Sequence, residues 1–310
     1  MKKLIVSLLC GLLVTSTGAF AATRQYSRPL TPFSGIDVSG QFKVSLVRGS
    51  DYRALLSVEE AYIDYVICEV KGSTLKISLD ERKVPSEVKR QFRGKGTPDP
   101  EFSAVVYVPD LLQSVVMSDK AVLQNTEDLF DKSRVTFKLS GSSSVKNLKV
   151  SALTVDIALE NKSEGEFDLT CRDCKVQMSN SSELKLVEQQ SETSTYVLHG
   201  SSKLRSRCTT GLLSVYTKSN CVGLISGSGN RAEFDINGTS EVDASAFEVP
   251  DAVVKMSSVS KLTEAAYKTL RVNLNGGCTL YFLNDPSVTI ENIRSATMTP
   301  DTSSRKSVRL

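Results

Sequence analysis

Tryptophan is absent from this chain, aromatic residues make up only 6% of it, and His199 is its single histidine. With one histidine and only one Cys-x-x-Cys, Cys171 and Cys174, a zinc site is not expected, because such sites draw on several Cys and His ligands. A large excess of one charge is also missing. The net charge is +3, too small for the basic surface that nucleic-acid binding requires. No segment beyond the first twenty or so residues is apolar enough to cross a bilayer, which needs roughly 20 residues. Nor does any Gly-x-Ser-x-Gly or glycine-rich phosphate loop open a helix. Ser226-Gly227-Ser228-Gly229 follows a strand but leads into no helix, so neither a nucleophile elbow nor a bound nucleotide is indicated. No cofactor is expected.

What is present begins with a processing signal. Lys2 and Lys3 precede an apolar run from Leu4 to Val14, and Ala19-Phe20-Ala21 is a small-x-small cleavage site. Residues 1–21 therefore read as a signal peptide. Cys10 sits in mid-run behind Leu9, which is not the small residue a lipid-attachment site wants. Six cysteines survive cleavage, an even count that permits disulfides in an exported chain. They are scattered, and Cys171 and Cys174 read as either a local disulfide or a pair of free thiols.

The strongest signal is a repeat. From Val115 onward one pattern recurs: apolar, x, apolar, x, turn residue, x, small residue. Phe137-x-Leu139-x-Gly141-x-Ser143 and Tyr196-x-Leu198-x-Gly200-x-Ser202 are clear copies. The turn residues are Asp119, Gly141, Asn161, Asn180, Gly200, Ser219, Gly238, Ser258 and Gly276, spaced by 22, 20, 19, 20, 19, 19, 20 and 18 residues. The apolar pair before each has the period-two signature of a strand with one buried face, broken only by Thr217. The turn residues are those that tolerate left-handed backbone. Two places on stands a column of small side chains: Ala121, Ser143, Ser163, Ser182, Ser202, Cys221, Ser240, Ser260 and Cys278. A coil whose wall bends inward at the same place on every turn demands such a column. Rungs stacked about 4.8 Å apart pile like residues into ladders. Cys221 and Cys278, three rungs apart, would lie roughly 14 Å from one another, too far to bridge. The chain is thus expected to be all-β, a parallel β-helix of roughly nineteen-residue rungs.

Residues 22–112 read as an N-terminal β region continuous with the solenoid, either a cap or irregular first rungs. Ile36, Val38, Gly40 and Val44 match the rung template, although Phe42 occupies the small column. Within this region, residues 80–100 form a polar stretch rich in Pro and Gly, read as a solvated excursion. Its cations Lys89, Arg90, Arg93 and Lys95 suit an acidic glycan or lipid headgroup. Rungs are expected over 113–292 and a disordered tail over 293–310.

The opening Phe33-x-Gly35-Ile36-x-Val38-x-Gly40-x-Phe42-x-Val44-x-Leu46, followed by rungs such as Leu139-Ser-Gly141-Ser-Ser143, resembles the DUF2807 family, the head GIN domain of auto-transporter adhesins. The likeness covers roughly residues 30–285. It implies a right-handed parallel β-helix, exported by Bacteroidetes-type bacteria, with no catalytic residues to carry over. A self-exporting autotransporter carries a C-terminal barrel of at least about 8 strands. Only a short polar tail follows the last rung here, so other machinery is expected to export or hold the protein.

β-Helices also serve as polysaccharide lyases and glycoside hydrolases, which place two carboxylates, or a cation-assisted base, around one bond. Glu233 and Asp235 point outward together, but Lys255 on the next rung is in register with Asp235, the pattern of a solvated charge ladder. Asp156 and Glu160 lie about four rungs away, on the order of 19 Å. His199 is outward without a motif partner. The reading is a noncatalytic exported module at the surface or in the periplasm of a Gram-negative bacterium, binding a glycan or protein. The alternative is a glycan-degrading enzyme on the same scaffold.

Overall fold

The computed structural model describes residues 22–94, 99–124 and 126–301. Residues 1–21, expected to be a signal peptide, Lys95 and residues 302–310 lie outside the described residues. The fold is nearly all-β, wound into a β-solenoid of about ten turns with rungs of about nineteen residues.

Every turn residue of the repeat adopts the conformation its side chain was expected to tolerate. Asp119, Asn161, Asn180, Ser219 and Ser258 have φ between 60° and 86°, and Gly141, Gly200, Gly238 and Gly276 between 70° and 83°. Gly40 joins them at 82°. The apolar pairs stack in parallel register: Phe137 beside Ile157, Ile157 beside Val176, Val176 beside Tyr196, Tyr196 beside Val215. Thr217, the exception, is buried, and its hydroxyl accepts a hydrogen bond from the Asn237 backbone N–H at 3.2 Å.

The small column is buried throughout. Its chemistry goes beyond size. Ser143, Ser202, Ser240 and Ser260 each donate to the carbonyl three residues back, at 2.8, 3.0, 2.8 and 2.9 Å. The Cys221 thiol does the same at 3.3 Å. The side chain thereby closes the left-handed turn from inside, where water cannot. Ser202→Leu is expected to cost about 1–3 kcal/mol through overpacking. Ser202→Cys, which puts in the residue found one rung on, should stay within about 1 kcal/mol of wild type, since at most one hydrogen bond weakens. Urea midpoints of the two variants measure the difference.

Each rung has a second wall that the repeat pattern leaves unread. Long strands such as Glu164–Met178, Glu183–Gly200 and Lys203–Ser219 run from one left-handed turn to the next and bend midway. At the bend the register slips, for example between Leu169 and Asp173 against the following rung. The irregular spacing hides the second wall's periodicity. Its inward residues (Leu148, Val150, Phe167, Leu169, Leu184, Leu186) face the first wall across the core.

At the N-terminal end, spatial order departs from chain order. Gly35–Val38 and Lys43–Arg48 form a true rung, with Ile36 beside Val115 and Val38 beside Met117. The chain then doubles back, and Thr74–Leu79 and Phe102–Val108 lie on the outer side of that rung. Antiparallel strands Arg53–Glu59, Thr23–Pro29 and Val66–Lys71 close the end. Phe42 fits the small column because only this cap lies beyond it, and its ring meets Phe102 at 5.4 Å.

Two expectations need correction. The excursion at 80–100 is not wholly solvated. It holds the helix Ser86–Gln91, buries Val84 and sets Phe92 against Tyr62 at 5.4 Å, so its apolar residues help to cover the core's end. The tail does not begin at 293. Ser287–Arg294 and Thr297–Pro300 continue the coil in parallel register with Thr269–Asn275 and Thr279–Phe282. With no further rung stacked on it among the described residues, Ser287–Arg294 is exposed along its whole length, including Val288, Ile290 and Ile293. The register comes from backbone pairing, which the irregular side-chain pattern there does not reveal.

Candidate functional site

Lys89, Arg90 and Arg93 ride on or next to the short helix Ser86–Gln91. Arg90 and Arg93 are exposed, while Lys89 is half-buried and donates to the Glu81 carbonyl at 2.6 Å. Arg90 and Arg93 thus share one end of the solenoid, with Phe92 anchoring the segment beneath them.

Along the rungs, outward charges pair from coil to coil. Lys185 meets Glu166 at 2.7 Å, Lys203 meets Glu183 at 2.7 Å, Lys261 meets Glu241 at 2.9 Å and Arg134 meets Asp156 at 2.7 Å. Exposed pairs of this kind contribute at most about 1 kcal/mol each. Their consequence is a polar face of alternating sign. A depression on it of about 590 Å³ runs over Lys146, Glu164, Glu166, Lys185, Lys203 and Arg205.

Glu233 and Asp235 line a smaller depression of about 290 Å³ with Arg231, Lys255 and Arg271. Both carboxylates have partners. Glu233 is paired with Arg231 at 2.9 Å, Asp235 accepts from the Asn237 amide at 2.6 Å, and Lys255 is in register with Asp235. His199 is exposed.

The structure also gathers polar groups where the repeat reading had none. On the second wall, Leu184-x-Leu186-x-Glu188 carries a carboxylate into an inward position, and Glu188 is 2% exposed. It accepts hydrogen bonds from Ser194 at 2.6 Å, from Ser191 at 3.2 Å and from the Tyr196 hydroxyl. Tyr196 is in turn 2.9 Å from the Ser206 hydroxyl. Cys171, Cys174 and Cys208 border the cluster, and all six described cysteines are free and buried. Burial pushes the Glu188 carboxyl up, its hydroxyl and thiol partners offsetting part of that. Cys174 is raised well above the usual thiol range by its hydrogen bond to Cys171 and then by burial. Burial also holds Cys208 up to about 12. The signal for this cluster was the break in the Leu-x-Leu-x-Glu alternation, legible only once the second wall is known to face inward.

A second buried carboxylate, Glu264, is 1% exposed. Its Oε2 accepts from the Ala266 N–H at 2.8 Å, while Oε1 has no hydrogen-bond partner among the described residues. Burial lifts its pKa to about 7.

No curated protein matches the chain. Among solved structures it resembles a putative adhesin from Parabacteroides distasonis at 12% identity, covering 91% of this chain and 98% of that one with a TM-score of 0.47. It also resembles a putative lipid binding protein from the same organism at 15% identity, with coverage of 90% and 97% and a TM-score of 0.45. A putative adhesin from Parabacteroides merdae is 13% identical, with coverage of 90% and 96% and a TM-score of 0.44. The family model "Putative auto-transporter adhesin, head GIN domain" matches residues 32–286, from the first true rung's approach to the start of the last coil. A stacked coil with left-handed turns, a Ser/Cys corner ladder and a charge-compensated outer face is thus the form that DUF2807 takes in this chain, which belongs to that family and is an adhesin-like module.

Proposed function

We propose that the chain is an exported, noncatalytic binding module of the Gram-negative surface or periplasm, and that it meets a glycan or a protein partner through its outward polar faces. The observation that carries this reading is the state of the outward acids. Several are tied to cations on the same or the neighbouring rung, as Glu233 is to Arg231 and Glu183 to Lys203, and others to neutral donors, as Asp235 is to Asn237, which suits recognition of a polar ligand more than proton transfer. The long ladder face offers repeated donors and acceptors at rung spacing, and Lys89, Arg90 and Arg93 add a basic end suited to an acidic ligand. Export is supported by the Lys2-Lys3, apolar and Ala19-Phe20-Ala21 sequence. No helix among the described residues is long and apolar enough to cross a membrane.

A glycan array read for both binding and reducing-end release tests the proposal. Saturable binding without release is expected. Reversing Lys89, Arg90 and Arg93 to Glu together should weaken an acidic hit tenfold or more, with the circular dichroism unchanged. Turnover abolished by Asp235→Ala would overturn the module reading in favour of a glycan-degrading enzyme built on the Glu233/Asp235 depression. In the periplasmic fraction, the mature chain should begin at Ala22.

A further inference from the structure

Cys171, Cys174 and Glu188 come from two successive rungs, yet one ligand atom from each lies within 4.8 Å of the other two. The bend of Glu164–Met178 brings them together. The register against the next rung slips between Leu169 and Asp173, which turns both thiols inward beneath the adjoining strand. Glu188 then reaches them from Glu183–Gly200, the strand one rung on. We propose that these three side chains form a site for a thiophilic divalent cation of the zinc class, stapling one rung to the next.

Several observations agree with that chemistry. A tetrahedral zinc bound at about 2.3 Å to sulfur and 2.0–2.2 Å to oxygen holds its ligand atoms about 3.5–3.8 Å apart, a small contraction of the present cluster. Glu188 forms no ion pair among the described residues. A buried carboxylate without a counter-charge is costly unless it stays protonated or meets a cation. Ser191, Ser194 and Tyr196 donate hydrogen bonds to its two oxygens, the outer-layer support that fixes a ligating carboxylate and offsets residual negative charge. The Cys174 sulfur and a Glu188 oxygen lie within 4.8 Å of each other, a span that a shared metal would bridge. Cys171 is 6% and Ser191 8% exposed, so the cluster lies just under the surface at the bend.

The binding step balances simply. As each metal–sulfur bond forms, its thiol releases a proton to solvent, and any proton on Glu188 leaves as well. Affinity must therefore rise with pH. Nothing is oxidised or reduced.

The full mature chain, reduced and freed of metal, is titrated with Zn²⁺ under native mass spectrometry and with Co²⁺ as the spectroscopic probe. One equivalent is expected to bind, with a sulfur-to-cobalt charge-transfer band of an intensity appropriate to two thiolates. Cys171→Ser/Cys174→Ser should abolish the band and weaken zinc at least a hundredfold. Glu188→Gln should weaken it about tenfold or more, whereas Cys278→Ser, several rungs away, should leave it unchanged. The inference is overturned if the folded, reduced wild-type chain takes up no metal, or if binding survives the double substitution. Should the double variant fail to fold, the wild-type band decides: an intensity matching no thiolates, or more than two, defeats the assignment.

Discussion

Gly227→Ala is expected to destabilise the protein by about 3–5 kcal/mol, an effect at the severe end for a single methyl group. Gly227 lies in mid-strand, within Val222–Ile236, at the bend of the second wall and with φ of 118°. A Cβ there would stand 1.9 Å from the carbonyl oxygen of Cys208 and 2.9 Å from its carbonyl carbon. Cys208 is its register partner one rung back, so the obstacle is the neighbouring coil's backbone, and no rotamer change can relieve it. L-residues also avoid that region of φ. The strand must either shift or lose its pairing with the rung below, and neighbouring rungs depend on one another in a solenoid. Ser228→Ala, one residue on and exposed, provides the control and should stay within about 0.5 kcal/mol. Urea unfolding of both variants makes the comparison. A loss below about 1 kcal/mol for Gly227→Ala would show that the coil gives way there more readily than its backbone contacts imply.

Stability should also fall as the pH rises from 5 to 8, and Glu264 should account for much of the fall. Its carboxyl sits near 7 in the folded chain because burial penalises the anion, while the unfolded chain returns it to the ordinary glutamate range. The folded state therefore holds a proton that the unfolded state gives up. The stabilisation is complete below about pH 4.5 and is lost as the pH passes through about 7. A displacement of roughly 2.5 pKa units corresponds to about 3 kcal/mol. A glutamine in its place would keep an acceptor for the Ala266 N–H and imitate the neutral acid at every pH. In Glu264→Gln the dependence contributed by this residue should disappear. Glu188 is raised in the same direction, so wild type minus variant across the pH range, and not either curve alone, isolates Glu264. Parallel curves for the two proteins would mean that Glu264 is solvated or paired in solution.

The outer chemistry of the protein was legible from its residues to the extent that one wall of the coil was. Asp235 and Lys255 could be placed in register because both hang from the regular strand before a left-handed turn, and the structure pairs them so. Glu188 could not be placed. Its alternation with Leu184 and Leu186 is visible, but the bends that bring Cys171 and Cys174 under it interrupt the period in each rung. Contact between residues on successive rungs depends on where each bulge falls. The helix at Ser86–Gln91 was hidden for a different reason: six residues among prolines and glycines carry little helical periodicity, and the burial of Val84 and Phe92 against the coil's end is what holds them there.

What the amino-acid order determined by itself is the coil. A left-handed turn residue about every nineteen or twenty positions, a small side chain two places later and an apolar pair before it are local requirements of one rung, met by nearly every copy. The tertiary structure decided the rest: the doubling-back that seals the N-terminal end, the last coil running on to Pro300, and the polar groups enclosed between the walls. Those depend on contacts between coils. The interior positions of the second wall accept Leu, Ser, Cys, Gly or Glu according to what the rungs above and below leave room for, and no single rung's sequence carries that information.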